Sequence, residues 1–262
     1  MKIPIFQVDA FTDLPFKGNP AAVCVLDEWL DGEVLQNIAK ENNLSETAFL
    51  VKNQVGFDLR WFTPFTEIKL CGHATLASAH VLFEELGFSE DKIIFSTASG
   101  NLTVTKSSDF LTMDFPAISA QAALEKTQFE DILKIGLEEV IESEDGSLIC
   151  VTANEATVKL YKPDFAEIRK INYWGIFLTA IGEQVDFVSR VFAPNMGIDE
   201  DPVTGSAHCS LAPCWSSRLG KTKLHARQVS ERGGDVICEL VNNRILLSGK
   251  AVLYLKGEIY IK

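Results

Sequence analysis

The sequence repeats one arrangement of residues in each half, and this repeat restricts the folds that the chain can adopt. Residues 60–64, Arg-Trp-Phe-Thr-Pro, are echoed 130 residues later by Arg-Val-Phe-Ala-Pro at 190–194. Each string is followed by a glycine, Gly72 or Gly205, that opens a run of small and apolar residues typical of a buried helix. The shared order of strand, proline-broken loop, glycine and buried helix predicts two related domains.

The length of the chain agrees with two domains. With 262 residues, 47% of them hydrophobic, it can bury two cores in domains of about 130 residues each. Short β-rich runs outnumber the helical patterns along the chain. We place the domains at residues 1–117 and 118–262, with the option that the last strand packs back on the first domain.

Periodicity predicts the individual elements. Asp31 is the expected N-cap of a first helix that Asn42 and Asn43 end, and Gly87 and Gly220 supply left-handed stops for two others. The further helices are predicted at residues 74–86, 127–136 and 207–219. Strands are predicted at residues 3–9, 21–25, 47–51, 57–62, 92–96, 102–105, 111–115, 147–153, 177–180, 186–192, 236–240, 244–248 and 251–261.

Charge and missing motifs exclude several classes of function. The net charge of −12 gives no broad positive field for nucleic acid. No signal-like N-terminus and no membrane-length apolar run is present, so we expect a cytoplasmic protein without a membrane partner. The six cysteines form no C-x-x-C pair, and dinucleotide, P-loop, zinc-protease and serine-hydrolase motifs are missing. We therefore expect no metal site and no cofactor, and five reduced cysteines in or near the core, with Cys71 set apart by its neighbours Gly72 and His73.

The two glycine-led helix starts are candidate anion sites. A helix N-terminus offers unpaired backbone N–H groups and partial positive charge, and glycine lets a ligand approach them. For either glycine alone, a tight turn is the simpler explanation. Polar neighbours favour a functional site, because His73 follows Gly72, Ser206 follows Gly205, and Asp201 precedes Gly205.

Glu46 is the candidate proton carrier. It enters an apolar strand after residues 42–45, and burial of a carboxylate raises its pKa toward the range useful for proton transfer. A surface glutamate at the edge of a loop is the alternative. Asn19, which precedes Pro20, is typical of a turn.

Several strings together resemble the phenazine-biosynthesis PhzF-like family. In chain order they are residues 9–11, 18–23, 44–49, 62–64 with Glu67, 71–75 and 200–207. The resemblance implies a diaminopimelate-epimerase-like fold: two pseudo-symmetric α+β domains, each a curved sheet or barrel around a central helix, with the active site in the cleft between them.

The resemblance also implies a role for each candidate residue. In the family's characterised isomerase, which acts on a dihydro-hydroxyanthranilate, one glutamate at the position of Glu46 moves a proton between ring carbons. By position, His73 and Asp201 would hold and polarise the substrate. The remaining substrate-binding positions would be Asn19, Ser45, Gly72, Gly205 and Ser206. The resemblance thus implies a cofactor-independent isomerase of a small anionic metabolite, and we expect a homodimer.

Two alternatives stay open. The racemases of this fold carry a cysteine before the glycine in each half, but here Cys71 fills the first place and Thr204 the second. An epimerase would therefore need Glu46 with Cys71 or Asp201 as the opposed base. A binding protein that keeps the pocket without turnover is the other alternative.

Overall fold

The chain divides into two compact units in a computed structural model that describes residues 1–261. The first unit is Met1–Asp114 together with the chain from Ser248 onward, and the second is Phe115–Leu247. Strands and helices occur in both units, which confirms the α+β class. Within the described residues, no helix combines the length and the apolar character that crossing a membrane requires.

The first unit is built mainly of strands. Its strands are β1 (Lys2–Ala10), β2 (Asn19–Leu26), β3 (Glu46–Lys52), β4 (Phe57–Phe62), β5 (Glu67–Ile68), β6 (Lys92–Thr97), β7 (Gly100–Ser107), β8 (Phe110–Pro116, which runs on into the second unit) and β18 (Ala251–Tyr260). Its helices are α1 (Gly32–Asn42) and α2 (Gly72–His80), and α2 continues as one turn of π-helix over Val81–Glu85.

Strand pairing in the first unit follows the chain closely. β1 pairs antiparallel with both β2 and β18, and β2 pairs parallel with β3. β3 and β4 are antiparallel, and β4 then pairs antiparallel with the short β5 and parallel with β6. β6, β7 and β8 form an antiparallel meander.

Helix α2 is the central helix of this unit. It contacts β1, β2, β3 and β18, and all its residues from Gly72 to Ala79 are buried. A helix made of small and apolar residues on every side can be buried on every side. The small side chains also let the surrounding strands approach its backbone closely.

Helix α1 covers the opposite face of the same strands. Its buried residues Leu35, Ile38 and Ala39 pack with Phe49 and Val51 of β3, among others. Side chains alternate between the faces of a strand, so Thr47, Phe49 and Val51 face α1 while Glu46, Ala48 and Leu50 face α2. The same alternation along β2 directs Asn19 toward α2, because Cys24 and Leu26 belong to the α1 cluster.

The second unit contains the remaining elements. Its strands are β9 (Ala120–Ala123), β10 (Glu139–Ser143), β11 (Leu148–Val151), β12 (Ile176–Ile181), β13 (Phe187–Ala193), β14 (Ile198–Asp201), β15 (Lys223–Gln228), β16 (Gly234–Val241) and β17 (Arg244–Gly249, which returns to the first unit). Its helices are α3 (Thr127–Leu133), α4 (Glu155–Leu160), α5 (Phe165–Ile168) and α6 (Gly205–Leu219), with a 3₁₀ turn at Pro194–Met196.

The second unit repeats the pairing order of the first. β11 and β12 are parallel, as β2 and β3 are in the first unit. β12 and β13 are antiparallel, as β3 and β4 are. β13 then pairs antiparallel with the short β14 and parallel with β15, as β4 does with β5 and β6. The repeat seen in the sequence is therefore a repeat of topology.

Most of the predicted elements are confirmed, and the differences have local causes. Asn43 ends α1 in the left-handed conformation (φ 50°), and Gly220 ends α6 (φ 64°). The predicted helix at 127–136 is wrong at its C-terminus, because Lys134 adopts φ 56° and ends α3 before Gly136. Helices α4 and α5 were missed. They are short, and the Asn154 and Asp164 side chains cap them.

Candidate active site

Glu46 and His73 form a buried pair in the first unit. Glu46 is the first residue of β3 and His73 the second of α2, and their exposed fractions are 6% and 5%. Glu46 Oε2 lies 3.0 Å from His73 Nε2. The two atoms are within ion-pair distance but are not aligned for a hydrogen bond, and neither has another hydrogen-bond partner in residues 1–261. Buried polar atoms in this state are uncommon and typical of functional sites.

Two further side chains face the other ring nitrogen of His73. Asn19 Nδ2 lies 3.2 Å from His73 Nδ1, and Cys71 Sγ lies 3.5 Å from the same atom. Asn19 is completely buried, and Cys71 is 7% exposed. The strand starts of β2 and β3 and the start of α2 thus bring Asn19, Glu46, Cys71 and His73 together.

The electrostatics of the cluster are set by burial and by the carboxylate. Burial alone would lower the pKa of His73, but Cys71 and Glu46 raise it, and the net direction is well above the ordinary 6.5. Burial, assisted by the charge of Glu46, raises the pKa of the Cys71 thiol, although His73 and the Ala74 amide oppose this. We therefore treat Cys71 as a protonated thiol, which leaves Glu46 as the negative charge that acts on His73.

Glu46, Cys71 and His73 also have the side-chain types of a metal site. Their ligand atoms all lie within 4.8 Å of one another. However, His73 directs Nε2 toward Glu46 and Nδ1 toward Cys71, and the lone pairs of these two nitrogens point away from each other in the ring plane. One ion cannot use both nitrogens, so an ion bound along either lone pair of His73 would face only one of the two other side chains.

The second unit contains its own polar cluster at the start of α6. Thr204 Oγ1 donates to Asp201 Oδ2 at 2.5 Å. The buried Gln228 accepts from the Thr204 N–H at 2.8 Å and donates from Nε2 to the Asp201 carbonyl at 2.6 Å. Asp201, Gly205 and Ser206 therefore lie at one helix start, which Gln228 holds in place.

Sequence reasoning missed Gln228. It lies 23 residues after Gly205 at the end of β15, and a strand that was not predicted gives no signal for the side chain that it positions. Ser45, by contrast, lies half-buried just before β3. It is next to Glu46 in sequence, and no contact of its side chain distinguishes it.

The repeated strings have the same chemistry in both units. Arg60 Nε and Nη2 bind the two carboxylate oxygens of Glu67 at 2.7 and 2.8 Å. Arg190 binds Glu200 with the same atoms at the same distances. Each arginine also lies over the phenylalanine two residues later, at 5.1 Å from Phe62 and 5.0 Å from Phe192. Each glutamate stands five residues before its helix-opening glycine.

Comparison with known proteins identifies the family. A family model described as "Phenazine biosynthesis-like protein" matches residues 8–257. The chain belongs to the phenazine biosynthesis-like family. Two uncharacterized isomerases of Pseudomonas aeruginosa are 49% and 47% identical to it, over 261 and 259 residues that cover at least 99% of each chain. The chain is accordingly an isomerase of this family.

Solved structures of the family agree with the fold. A PhzF-family protein of Enterococcus faecalis is 47% identical, covers all of both chains and has a TM-score of 0.96. A probable proline racemase of Agrobacterium radiobacter is 10% identical, with 99% of this chain and 93% of that chain covered and a TM-score of 0.68. This similarity extends to the fold alone and confirms the diaminopimelate-epimerase-like class.

Proposed function

We propose that the protein isomerises a small carboxylate-bearing metabolite by moving one proton, without a cofactor, and that Glu46 carries this proton. The observation behind the proposal is the buried pair of Glu46 Oε2 and His73 Nε2, 3.0 Å apart and both without a hydrogen-bond partner in the described residues. A carboxylate and a ring nitrogen that do not satisfy each other are free to act on a substrate.

The proposed reaction needs no other reagent. The Glu46 carboxylate accepts a proton from a substrate carbon, and the electron pair of the broken C–H bond moves into the adjoining conjugated system. His73 donates a hydrogen bond from Nε2 to the substrate oxygen that gains negative charge. Glu46 then returns the proton to a second carbon of the same system. The product is an isomer of the substrate, and both side chains regain their starting states.

The other roles are proposed from the family pattern. Asp201 would assist His73 in holding the substrate, and the backbone amides at Gly72, Gly205 and Ser206 would bind its carboxylate. Ser45 and Asn19 would line the pocket. Each of these roles predicts weaker substrate binding when the side chain or the helix start is altered.

Glu46→Gln tests the proposal directly. The first probe is a dihydro-hydroxyanthranilate, followed by a panel of small carboxylates, and NMR follows each reaction in deuterated water. We expect Glu46→Gln to lower turnover by about 10²- to 10⁴-fold, the usual contribution of a positioned acid or base, and the exposed Glu90→Gln to have no effect. Full turnover by Glu46→Gln, with loss of turnover in His73→Ala, would contradict the single-glutamate mechanism.

Epimerisation is the second candidate. It is favoured by Cys71 Sγ, which lies 3.5 Å from His73 Nδ1 and could act as a second base. The raised pKa of this thiol speaks against it, because the thiolate is the form that accepts a proton. A two-base reaction through Cys71 would incorporate solvent deuterium in every turnover and would be lost in Cys71→Ala. A one-base reaction would retain part of the substrate's own hydrogen and would survive Cys71→Ala.

A further inference from the structure

The backbone around Asn19 leaves its side chain little freedom. Gly18 has φ +64°, and a Cβ at this position would overlap the Ala10 carbonyl, so glycine is required there. Pro20 restricts Asn19 to extended backbone. Asn19 is paired with Ala10 of β1 and is completely buried. The Gly-Asn-Pro string therefore presents the Asn19 amide in a fixed direction.

The Asn19 amide is a hydrogen-bond donor to His73. Its Nδ2 lies 3.2 Å from His73 Nδ1 and can only donate. The Cys71 sulfur, 3.5 Å from the same nitrogen, can donate or accept there and does not select a state. The Asn19 donor requires that Nδ1 carry a lone pair in the singly protonated ring. The proton of the neutral ring must then be on Nε2, beside Glu46.

The Glu46 carboxylate has the opposite effect on the protonation of the His73 ring from the Asn19 donor. Its negative charge favours a doubly protonated, positively charged ring. Such a ring carries a hydrogen on Nδ1 as well, and this hydrogen would point at the NH₂ group of Asn19. The Asn19 donor therefore opposes the second protonation that Glu46 promotes.

We propose that Asn19 is a positioning residue: by donating to Nδ1 of His73 it resists the second protonation of the ring, and it places the proton of the singly protonated ring on Nε2. A positively charged ring would bind the Glu46 carboxylate in an ion pair and occupy the group that must accept the substrate's proton. By resisting that second protonation, Asn19 extends the pH range in which Glu46 is available as the base and His73 is a neutral donor. This consequence for catalysis rests on the proposed function, whereas the state of the His73 ring does not.

The test is the protonation of His73, measured by NMR on the full chain with ¹⁵N-labelled histidine. Chemical shifts of Nδ1 and Nε2 identify the protonated nitrogen, and a pH titration gives the midpoint. His73→Gln assigns the signal. Among the described residues, the titratable groups that act on His73 are Glu46 from β3 and Cys71 from the segment before α2.

Two substitutions similar in size to asparagine test whether the Asn19 donor opposes the second protonation of His73. Asn19→Leu removes the donor without opening space for water, and Asn19→Asp replaces the donor with a charged acceptor. We expect the titration midpoint of His73 to rise by about one to two pH units in Asn19→Leu, the equivalent of one hydrogen bond to a charged group. We expect a further rise in Asn19→Asp. The buried His208 of the second unit serves as internal control and should keep its signals.

A neutral wild-type ring protonated on Nδ1 would overturn the proposal, and this spectrum needs no variant to fold. An unchanged or lower midpoint in Asn19→Leu would overturn it as well. If the midpoints shift as expected but Glu46→Gln remains fully active, the positioning role of Asn19 stands and the proposed reaction fails. If Glu46→Gln is inactive and the midpoints do not move, the reaction stands and the role of Asn19 fails.

Discussion

Each unit carries one buried histidine near the start of its central helix, and the two differ in charge preference. His73 faces Glu46, and the net direction of its pKa is upward. His208 is completely buried, stacks near Phe187 at 5.9 Å and has Nδ1 at 2.8 Å from the Thr204 carbonyl. Burial lowers the pKa of His208 to about 4, although the hydrogen bond to Thr204 opposes the shift. One ring faces a carboxylate that favours its charged form, and the other is a neutral part of the core.

His208 predicts a loss of stability in acid. The unfolded chain binds a proton at this position near pH 6.5, whereas the folded chain resists it until about pH 4. Its contribution is therefore fully present above pH 6.5 and is lost as the pH falls toward 4. The loss amounts to about 3 kcal/mol.

Chemical denaturation at pH 7.5 and at pH 4.5 measures this effect. His208→Leu should lose less free energy of unfolding than the wild type between these two values, because leucine cannot be protonated. Carboxylates elsewhere contribute equally to both proteins, so the difference isolates His208. Parallel pH profiles for the two proteins would show that His208 is accessible to protons in the folded state.

At the scale of elements, the Arg–Glu pairs explain why the two helix starts are built alike. In each unit the pair ties a long strand, β4 or β13, to the short strand that returns beside it. The glycine that opens the buried helix then follows the glutamate at a fixed distance of five residues. The repeated strings therefore specify the geometry of the turn before each helix. The side chains that we propose for catalysis differ between the two units.

The two pairs differ in burial, and this predicts unequal effects of the same substitution. The Arg190 side chain is 10% exposed and also donates to the carbonyls of Val158 and Tyr161. The Arg60 side chain is 32% exposed. Arg190→Gln leaves the poorly hydrated Glu200 carboxylate and these two carbonyls without their donor. The substitution should lower the free energy of unfolding by about 3 kcal/mol.

Arg60→Gln is the matched control and should cost about 1 kcal/mol or less, because water replaces the lost partner. Urea denaturation of both variants at pH 7.5 measures the comparison. Equal losses in the two variants would mean that burial does not decide the contribution of the pair.

The elements and the site differed in how far the sequence could predict them. Burial of α2 and of most of α6 leaves a local signature of small residues, and Gly220 marks where α6 ends, so both helices were predicted. Glu46 and His73 were selected by local chemistry and by family resemblance, and the structure places them in contact. Helices α4 and α5 were missed because a helix of one or two turns has no periodicity to detect. Gln228 was missed because its role depends on strand pairing across the second unit.

At the scale of the whole molecule, the first unit is discontinuous in sequence. β1 pairs with β18 along its whole length, from Lys2–Tyr260 to Ala10–Ala251, and the second unit is a continuous insertion between them. Neither β1 nor α2 has its full set of neighbours until β18 is in place, because α2 also contacts β18.

Removal of residues 250–262 should therefore destabilise the first unit selectively. Hydrogen exchange measured by mass spectrometry should show lost protection in β1 and β2, since β1 loses the ladder on one of its edges. Strands β12 and β13, which pair with each other within the second unit, should keep their protection. Equal loss in both units would show that the two unfold as one cooperative body.

The pairing of β1 with β18 also affects how the chain folds while it is being synthesised. β1 is made before the second unit, whereas its partner β18 is made only after that unit. Until residues 251–260 have been synthesised, the nascent β1 exposes the edge that β18 will cover, and such edges promote association with other chains. The second unit, being continuous, can fold in the meantime. The residues around α2, Glu46 and His73 among them, thus reach their final environment only after β18 has been made.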